Sequence, residues 1–439
     1  MGKEKETIAH DAETWIERGD RAAKSEKWEE SIELYRRAIE INPRHAFAYF
    51  KRGSSYIALE KWEQALADLN NAVVLNSGFS FAYFKRGLVY AEMKYFKKSI
   101  DDFSKAIEIN SDFVFAYYRR GYSFYVIRRH EKAIEDFTKA LAYNPTYVLA
   151  LFYRANSYFE KKSMPEAIDD YSKVIDLDPK HEKAYLSRGI AYGSLGKYNE
   201  AIKDYTMALQ IDPKSIIAHN YRGLIYSKLK KYEEAIKDFD KVIDDNPKNV
   251  DAYNNLGIAY FALKDYEHSI KAYDKAINLS PTAYNLYYNR ANAYYNSKQY
   301  LEAAMDYEKV IEMQPGLAQA YFGKANSYAN LDQYKDAFKD YTKALAINPK
   351  FIQAYIGRAN VYMKMKYYRK AQEDFTLAIE INPDYAQAYL NRGIAYRTEG
   401  RNDEAVEDFN EFLRLHKGKD SSTVQVRSWI RKMGYTPAN

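Results

Sequence analysis

The chain has 439 residues, 29% of them charged, with a net charge of +6 and no cysteine. So mild a charge permits anionic partners without demanding them, and the missing cysteines exclude a disulfide frame and thiolate metal sites. No apolar run approaches the roughly 20 residues that a membrane-crossing helix needs.

Residues 1–11, MGKEKETIAHD, read as a short charged leader without the apolar stretch of a secretory signal. Glu6 stands where a myristoylation signal wants Ser or Thr, so Gly2 is given no such role. A soluble, cytoplasmic protein with no membrane insertion is expected. From Ala12 to Lys419 a 34-residue block recurs twelve times without insertion or deletion, starting at 12, 46, 80, 114, 148, 182, 216, 250, 284, 318, 352 and 386. Within each block we number positions 1 to 34. Position 8 is Gly or Ala throughout, position 20 is Ala or Ser, and position 11 is aromatic in all but the first block. Proline holds position 32 in nine blocks, from Pro43 to Pro383. A fixed period of this length marks a solenoid, whose units bury their faces only against neighbours. The length alone would suggest about three domains. The repeat overrides that and predicts one elongated helical domain.

Positions 4, 8 and 11, then 20, 24 and 27, are apolar or small at helical spacing, so each block predicts two helices joined by a short loop. The proline stops the second helix. Small residues at 8 and 20 allow close approach, and aromatic residues at 11 and 24 fill the space beside them. This pattern resembles the tetratricopeptide repeat, over about nine-tenths of the chain. Local departures are Ala22, Leu69, Leu151, His219 and Phe412, and Ser77, Ser111 and Lys417 replace the proline. The resemblance implies an all-α fold, a right-handed α-solenoid superhelix of twelve helix-turn-helix units with the first helices lining a concave wall. The polar first block, with Glu13, Glu17 and Asp20, reads as an N-terminal cap. Residues 420–439 predict a C-terminal capping helix with Val426, Trp429, Ile430 and Met433 as its apolar stripe.

Position 7 is Arg in ten blocks and Lys324 in another, and position 23 is Asp in ten. The eighth block loses both together, to Leu256 and Ala272. Pairing within a block leaves one mismatch, Arg18 with Leu34, whereas pairing across blocks leaves three. An ion pair inside each unit is therefore predicted, with a structural role.

Positions 2, 5, 6, 9, 12 and 13 form a first-helix face apart from the buried stripe. In blocks two to five this face is aromatic and basic. Its candidate binding residues are Phe50, Lys51, Phe84, Lys85, Tyr118, Arg119, Tyr122 and Phe152, with Phe47, Phe81 and Phe115 at position 2. In blocks seven to twelve it is rich in asparagine: Asn220, Asn254, Asn255, Asn289, Asn292, Asn326, Asn360 and Asn391. A carboxamide both donates and accepts, so such a ladder can bond the main chain of an extended peptide. No three successive blocks carry the Lys/Asn/Arg set with which co-chaperone members of the family clamp a C-terminal carboxylate.

The seven histidines are scattered without metal-ligand spacing, and no phosphate loop or nucleophile elbow occurs. The expectation is a non-catalytic scaffold without cofactor or metal, binding an extended protein segment in the groove. Single-stranded RNA binding is the alternative, since aromatic and basic residues stack bases and meet phosphates. The modest charge weighs against nucleic acid. Self-assembly into a homo-oligomer through tyrosine-rich edges is the third reading.

Overall fold

Each block begins with a 13-residue helix followed by one of 14, from Ala12–Lys24 and Trp28–Ile41 to Ala386–Thr398 and Asn402–Leu415. A last helix, Ser421–Lys432, follows. This is a computed structural model, and it describes residues 11–416, 418 and 420–437. Ten of the eleven predicted leader residues, Lys417 and Lys419 of the last block, and the final two residues lie outside the described residues. Among the described residues there are 25 helices and no strand. The chain divides into two compact units, one up to Ala218 and one from His219. Within each, hairpin packs on hairpin in sequence order.

One residue turns the chain between the two helices of a hairpin, and it has left-handed backbone. Lys94 (φ 63°) and Lys298 (φ 65°) bear this conformation although they are not glycine, whereas Gly196 (φ 72°) and Gly400 (φ 80°) suit it. A Cβ at Gly196 would meet no atom within 4 Å, so only the backbone would resist a side chain there. Gly196→Ala is expected to cost about 1 kcal/mol, measured as a lower urea midpoint.

The deepest burial in the first helix lies at positions 3, 8 and 10 rather than at the predicted 4 and 11. Ala82 at position 3 packs on Ala72 and Val73 of the preceding second helix, and Val89 at position 10 packs on Ala65 and Leu69. The preceding second helix crosses so close there that only small or slender side chains fit. At position 8, a Cβ on Gly87 would lie 2.7 Å from the Phe103 ring. Most tyrosines at position 4 are half-buried, and those whose block carries arginine at position 7 lie under it, as Tyr83 does under Arg86 at 5.4 Å.

The ion pairs form within blocks, as the phase of the mismatches predicts, in ten of the twelve. Nine arginines, from Arg52 to Arg392, grip their aspartates with two bonds of 2.7–2.8 Å each. Lys324 meets Asp340 at 3.3 Å. Leu256 and Ala272, where the pair is lost, instead join an apolar cluster with Ala235 and Phe239. The arginines also reach back to position 25 of the preceding block: Arg120 Nη1 donates to Ser104 at 3.0 Å, Arg188 to Ser172 at 2.9 Å and Arg392 to Thr376 at 2.9 Å. Each of these three arginines therefore latches its hairpin to the preceding one while closing its own. Burial pushes the Asp102, Asp136 and Asp204 carboxyls above their ordinary range, against the pull of the paired guanidinium. Desolvation works against the charged carboxylates, a cost that the bonds to the guanidinium have to offset.

The first and last hairpins are each tied to the helix that follows them. Asp20 of the polar first helix accepts from Tyr35 Oη at 2.6 Å and pairs with Lys51 at 3.0 Å. At the other end Asp420 caps Ser421–Lys432 through Thr423 N at 3.1 Å. Val426 and Ile430 are buried among Leu390, Phe409, Phe412 and Leu413, and Trp429 and Met433 pack beside them. The apolar stripe read from the sequence thus covers the last hairpin.

Candidate functional site

The aromatic half of the first-helix face sorts by position. At position 5, Tyr118 is 6% exposed and Phe152 9%, while Phe50 and Phe84 are half-buried. Each rests on the residue that ends its own block: Phe50 on Phe79 and Phe84 on Phe113, both at 4.8 Å, Tyr118 on Tyr147 at 4.9 Å, and Phe152 on His181 at 5.0 Å. These rings fill the junction between successive first helices. What faces outward is position 2, where Phe47, Phe81 and Phe115 are 40%, 52% and 59% exposed. Tyr122 packs edge-on to Tyr153 at 4.9 Å. Of the cations, Lys51 is held by Asp20, and Arg119 stacks on Tyr118 at 5.7 Å. Lys85 is partly buried, which pushes its ammonium pKa down. Among the described residues no carboxylate pairs with Lys85 or Arg119.

The asparagines divide by hydrogen bonding. Asn289 Nδ2 donates to Asn254 Oδ1 at 3.1 Å, and Asn391 Oδ1 accepts from Gln387 at 2.8 Å. Asn292 and Asn326 at position 9 accept from buried tyrosines at position 24 of the same block. Tyr307 Oη lies 2.7 Å from Asn292 Oδ1, and Tyr341 Oη 2.5 Å from Asn326 Oδ1. Asn156 receives Tyr171 in the same way at 2.7 Å. For Asn220, Asn255 and Asn360 no side-chain bond occurs among the described residues. Asn360 lacks a dyad because its block carries Phe375 at position 24.

In two of the dyads the tyrosine ring passes close beneath the next first helix. Gly323 and Gly357 stand there, at position 6 of the following blocks. A Cβ on Gly323 would lie 2.4 Å from Tyr307 Cζ, and one on Gly357 2.5 Å from Tyr341 Cε1. Burial pushes the Tyr171, Tyr307 and Tyr341 hydroxyls above their usual range, so they keep their protons and donate. A signal for this lay in the sequence: Asp20, Asn156, Asn292 and Asn326 at position 9 each share a block with tyrosine at position 24.

Two of these dyads border cavities at equivalent places. In the first unit a cavity of about 370 Å³ opens between Val148–Glu160 and Glu182–Ser194, lined by Phe152, Asn156, Phe159, Tyr171, Lys183 and Leu186 among others. In the second, one of about 550 Å³ opens between Ala318–Asn330 and Ile352–Lys364, where Asn326, Asn330, Tyr341, Ile356, Asn360 and Lys364 meet. Both are open, carry aromatic walls, and offer carboxamides. Among the described residues no cluster of His, Asp and Glu could hold a metal, and no helix is long and apolar enough to cross a membrane.

Comparison with known structures finds yeast Tom70, at 17% identity over 96% of this chain and 95% of that one (TM-score 0.39). YrrB, described as a TPR protein with an unusual peptide-binding site, matches at 23% identity over 41% of this chain and 92% of its own (TM-score 0.38). MamA protein matches at 26% identity over 38% and 92% (TM-score 0.38). A comparison with curated proteins finds no match. A TPR repeat profile matches residues 19–59 and 223–264. Tetratricopeptide repeat profiles match 82–113, 118–182, 182–215, 205–237, 250–282, 284–316, 318–351 and 356–420. With the same period running through profile matches, helix lengths and hairpin packing, the chain belongs to the tetratricopeptide repeat family.

Proposed function

We propose that the protein is a non-catalytic interaction scaffold that holds an extended segment of a partner protein along its first-helix face. The observation that carries this reading is the row of exposed phenylalanines, Phe47, Phe81 and Phe115, repeated at one position of three successive hairpins. Leaving such rings in water is unfavourable without a partner, and a contiguous apolar row marks a contact surface. Lys85 and Arg119 stand in the same helices without carboxylate partners, which suits a segment bearing acidic groups. Extended segments fit because their main-chain groups are free to be bonded.

Selecting a random peptide library on the immobilised protein tests this. The wild type is expected to enrich binders, and the triple variant Phe47→Ser, Phe81→Ser, Phe115→Ser to lose affinity about 100-fold or more. Three half-exposed rings that each bury the rest of their surface contribute about 1 kcal/mol apiece. Absence of any enriched peptide, or binding indifferent to the triple change, sinks the proposal. Nuclease-sensitive RNA bound by the wild type and lost in the variant would put single-stranded RNA in the peptide's place.

A further inference from the structure

We infer that two equivalent turns, residues 94–98 in the third block and 366–370 in the eleventh, are docking patches for a short acidic segment of a partner protein, apart from the first-helix face. The first reads Lys94, Tyr95, Phe96, Lys97, Lys98, and the second Lys366, Tyr367, Tyr368, Arg369, Lys370. Both put a cation, an exposed tyrosine and two more exposed cations where the chain passes from one helix of a hairpin to the other. Lys98 Nζ lies 5.4 and 5.5 Å from the rings of Tyr90 and Tyr95, and Lys370 Nζ lies 5.7 Å from those of Tyr362 and Tyr367. Each ammonium thus stands over two aromatic rings. Among the described residues no carboxylate pairs with any of these six cations.

These turns run against the local preferences of the chain. The other ten second helices carry Asp or Glu in their first turn, where the helix dipole favours negative charge. Phe96–Ile109 and Tyr368–Ile381 have no acidic residue there and begin with Lys97 and Lys98, and with Arg369 and Lys370. Lys94 and Lys366 also hold left-handed backbone, φ 63° in each, a conformation that Gly196 and Gly400 adopt without strain. A bound carboxylate supplies the negative charge these helix starts lack and gives the strained lysine a counter-ion. Each patch opens on a cleft toward the next hairpin. One of about 600 Å³ is lined by Lys97, Ser104 and Arg129 among others, and one of about 570 Å³ by Arg369, Thr376 and Arg401, which hold the same block positions. Asp101 and Glu373 line the clefts too, so a ligand's acidic groups belong at the turn and its uncharged part in the cleft. The preceding turns carry Glu60 and Asp332 where Lys94 and Lys366 stand. A membrane or nucleic acid lying across several hairpins would meet those carboxylates, whereas a short segment meets one turn alone.

Isothermal titration of the full chain with a peptide of Asp and Glu around one central Trp tests this. The wild type is expected to bind two copies, with an affinity that falls as salt is raised. The set Lys94→Glu, Lys97→Glu, Lys98→Glu is expected to leave one site, as is Lys366→Glu, Arg369→Glu, Lys370→Glu. The two sets together are expected to weaken binding by at least about 10-fold. Lys230→Glu, Lys264→Glu, Lys298→Glu makes the same change of charge at the left-handed position of three other turns and is expected to keep both sites. Glutamate at the helix starts matches the other ten, so each patch variant is expected to melt no lower than the wild type. If one melts early, glutamine takes the place of glutamate and the same loss of a site is expected. Two sites retained in the patch variants, equal weakening by the set at the other turns, or no binding by the wild type overturns the inference. Pelleting with phosphatidylserine vesicles in place of peptide binding overturns it as well. None of these results touches the first-helix reading, whose Phe47, Phe81 and Phe115 lie outside both turns.

Discussion

Asp204→Ala is expected to lower stability by about 3 kcal/mol or more, and adding Arg188→Leu to restore most of the loss. In the single variant the Arg188 guanidinium stays in its partly buried slot, stripped of two bonds at 2.7 and 2.8 Å and left with the Ser172 hydroxyl and the rings of Tyr185 and Tyr192. Removing one partner of a buried pair leaves an uncompensated charge, whereas replacing both by well-packed apolar residues is often neutral. The chain contains its own precedent. Leu256 and Ala272 hold the same two positions in the eighth block and pack into one apolar cluster. Urea denaturation of the three proteins gives the cycle, and hydrogen exchange is expected to localise the single variant's loss to Glu182–Ile211 and its neighbours. A single variant as stable as the wild type would mean the pair is idle. A double variant as weak as the single would mean that orientation by the arginine, including its bond to Ser172, cannot be replaced by packing.

Ile430→Asp is expected to detach the terminal helix at a cost of at least about 3 kcal/mol to the last hairpin. Ile430 is fully buried against Phe409, Phe412 and Leu413, so a carboxylate there would be set among apolar side chains. In a linear stack each unit leans on its neighbours, so loss of the cap frays the end before it touches the rest. Limited proteolysis is expected to remove Ser421–Lys432 rapidly while earlier hairpins resist. Protease resistance equal to the wild type would show that the helix is not what covers the core.

Much of this protein was written in its periodicity. The phase of Gly or Ala at position 8 against aromatic residues at position 24 located both helices of every hairpin. The ion pairs were legible for a different reason: the eighth block lost arginine and aspartate together, and counting mismatches in phase separated pairing within a block from pairing across blocks. The stripe of Val426, Trp429, Ile430 and Met433 announced the terminal helix in the same way.

The site was legible only as a face. Positions 2 and 5 lie three residues apart on one side of a helix, so periodicity treats them alike. The place of the next hairpin decides that Phe84 fills a junction while Phe81 meets solvent. The asparagines also looked equivalent in sequence, as groups that both donate and accept. Tyr307 and Tyr341, arriving from the second helix beneath Gly323 and Gly357, take the acceptor from Asn292 and Asn326. The sequence by itself determined the period, the hairpins, the buried charge pairs and the terminal cap, because each recurs or varies in register along one dimension. Burial at the junctions and the direction of each carboxamide were decided by tertiary structure alone. They depend on which side chain of one helix arrives against another, and a periodic pattern records a face but not its neighbour.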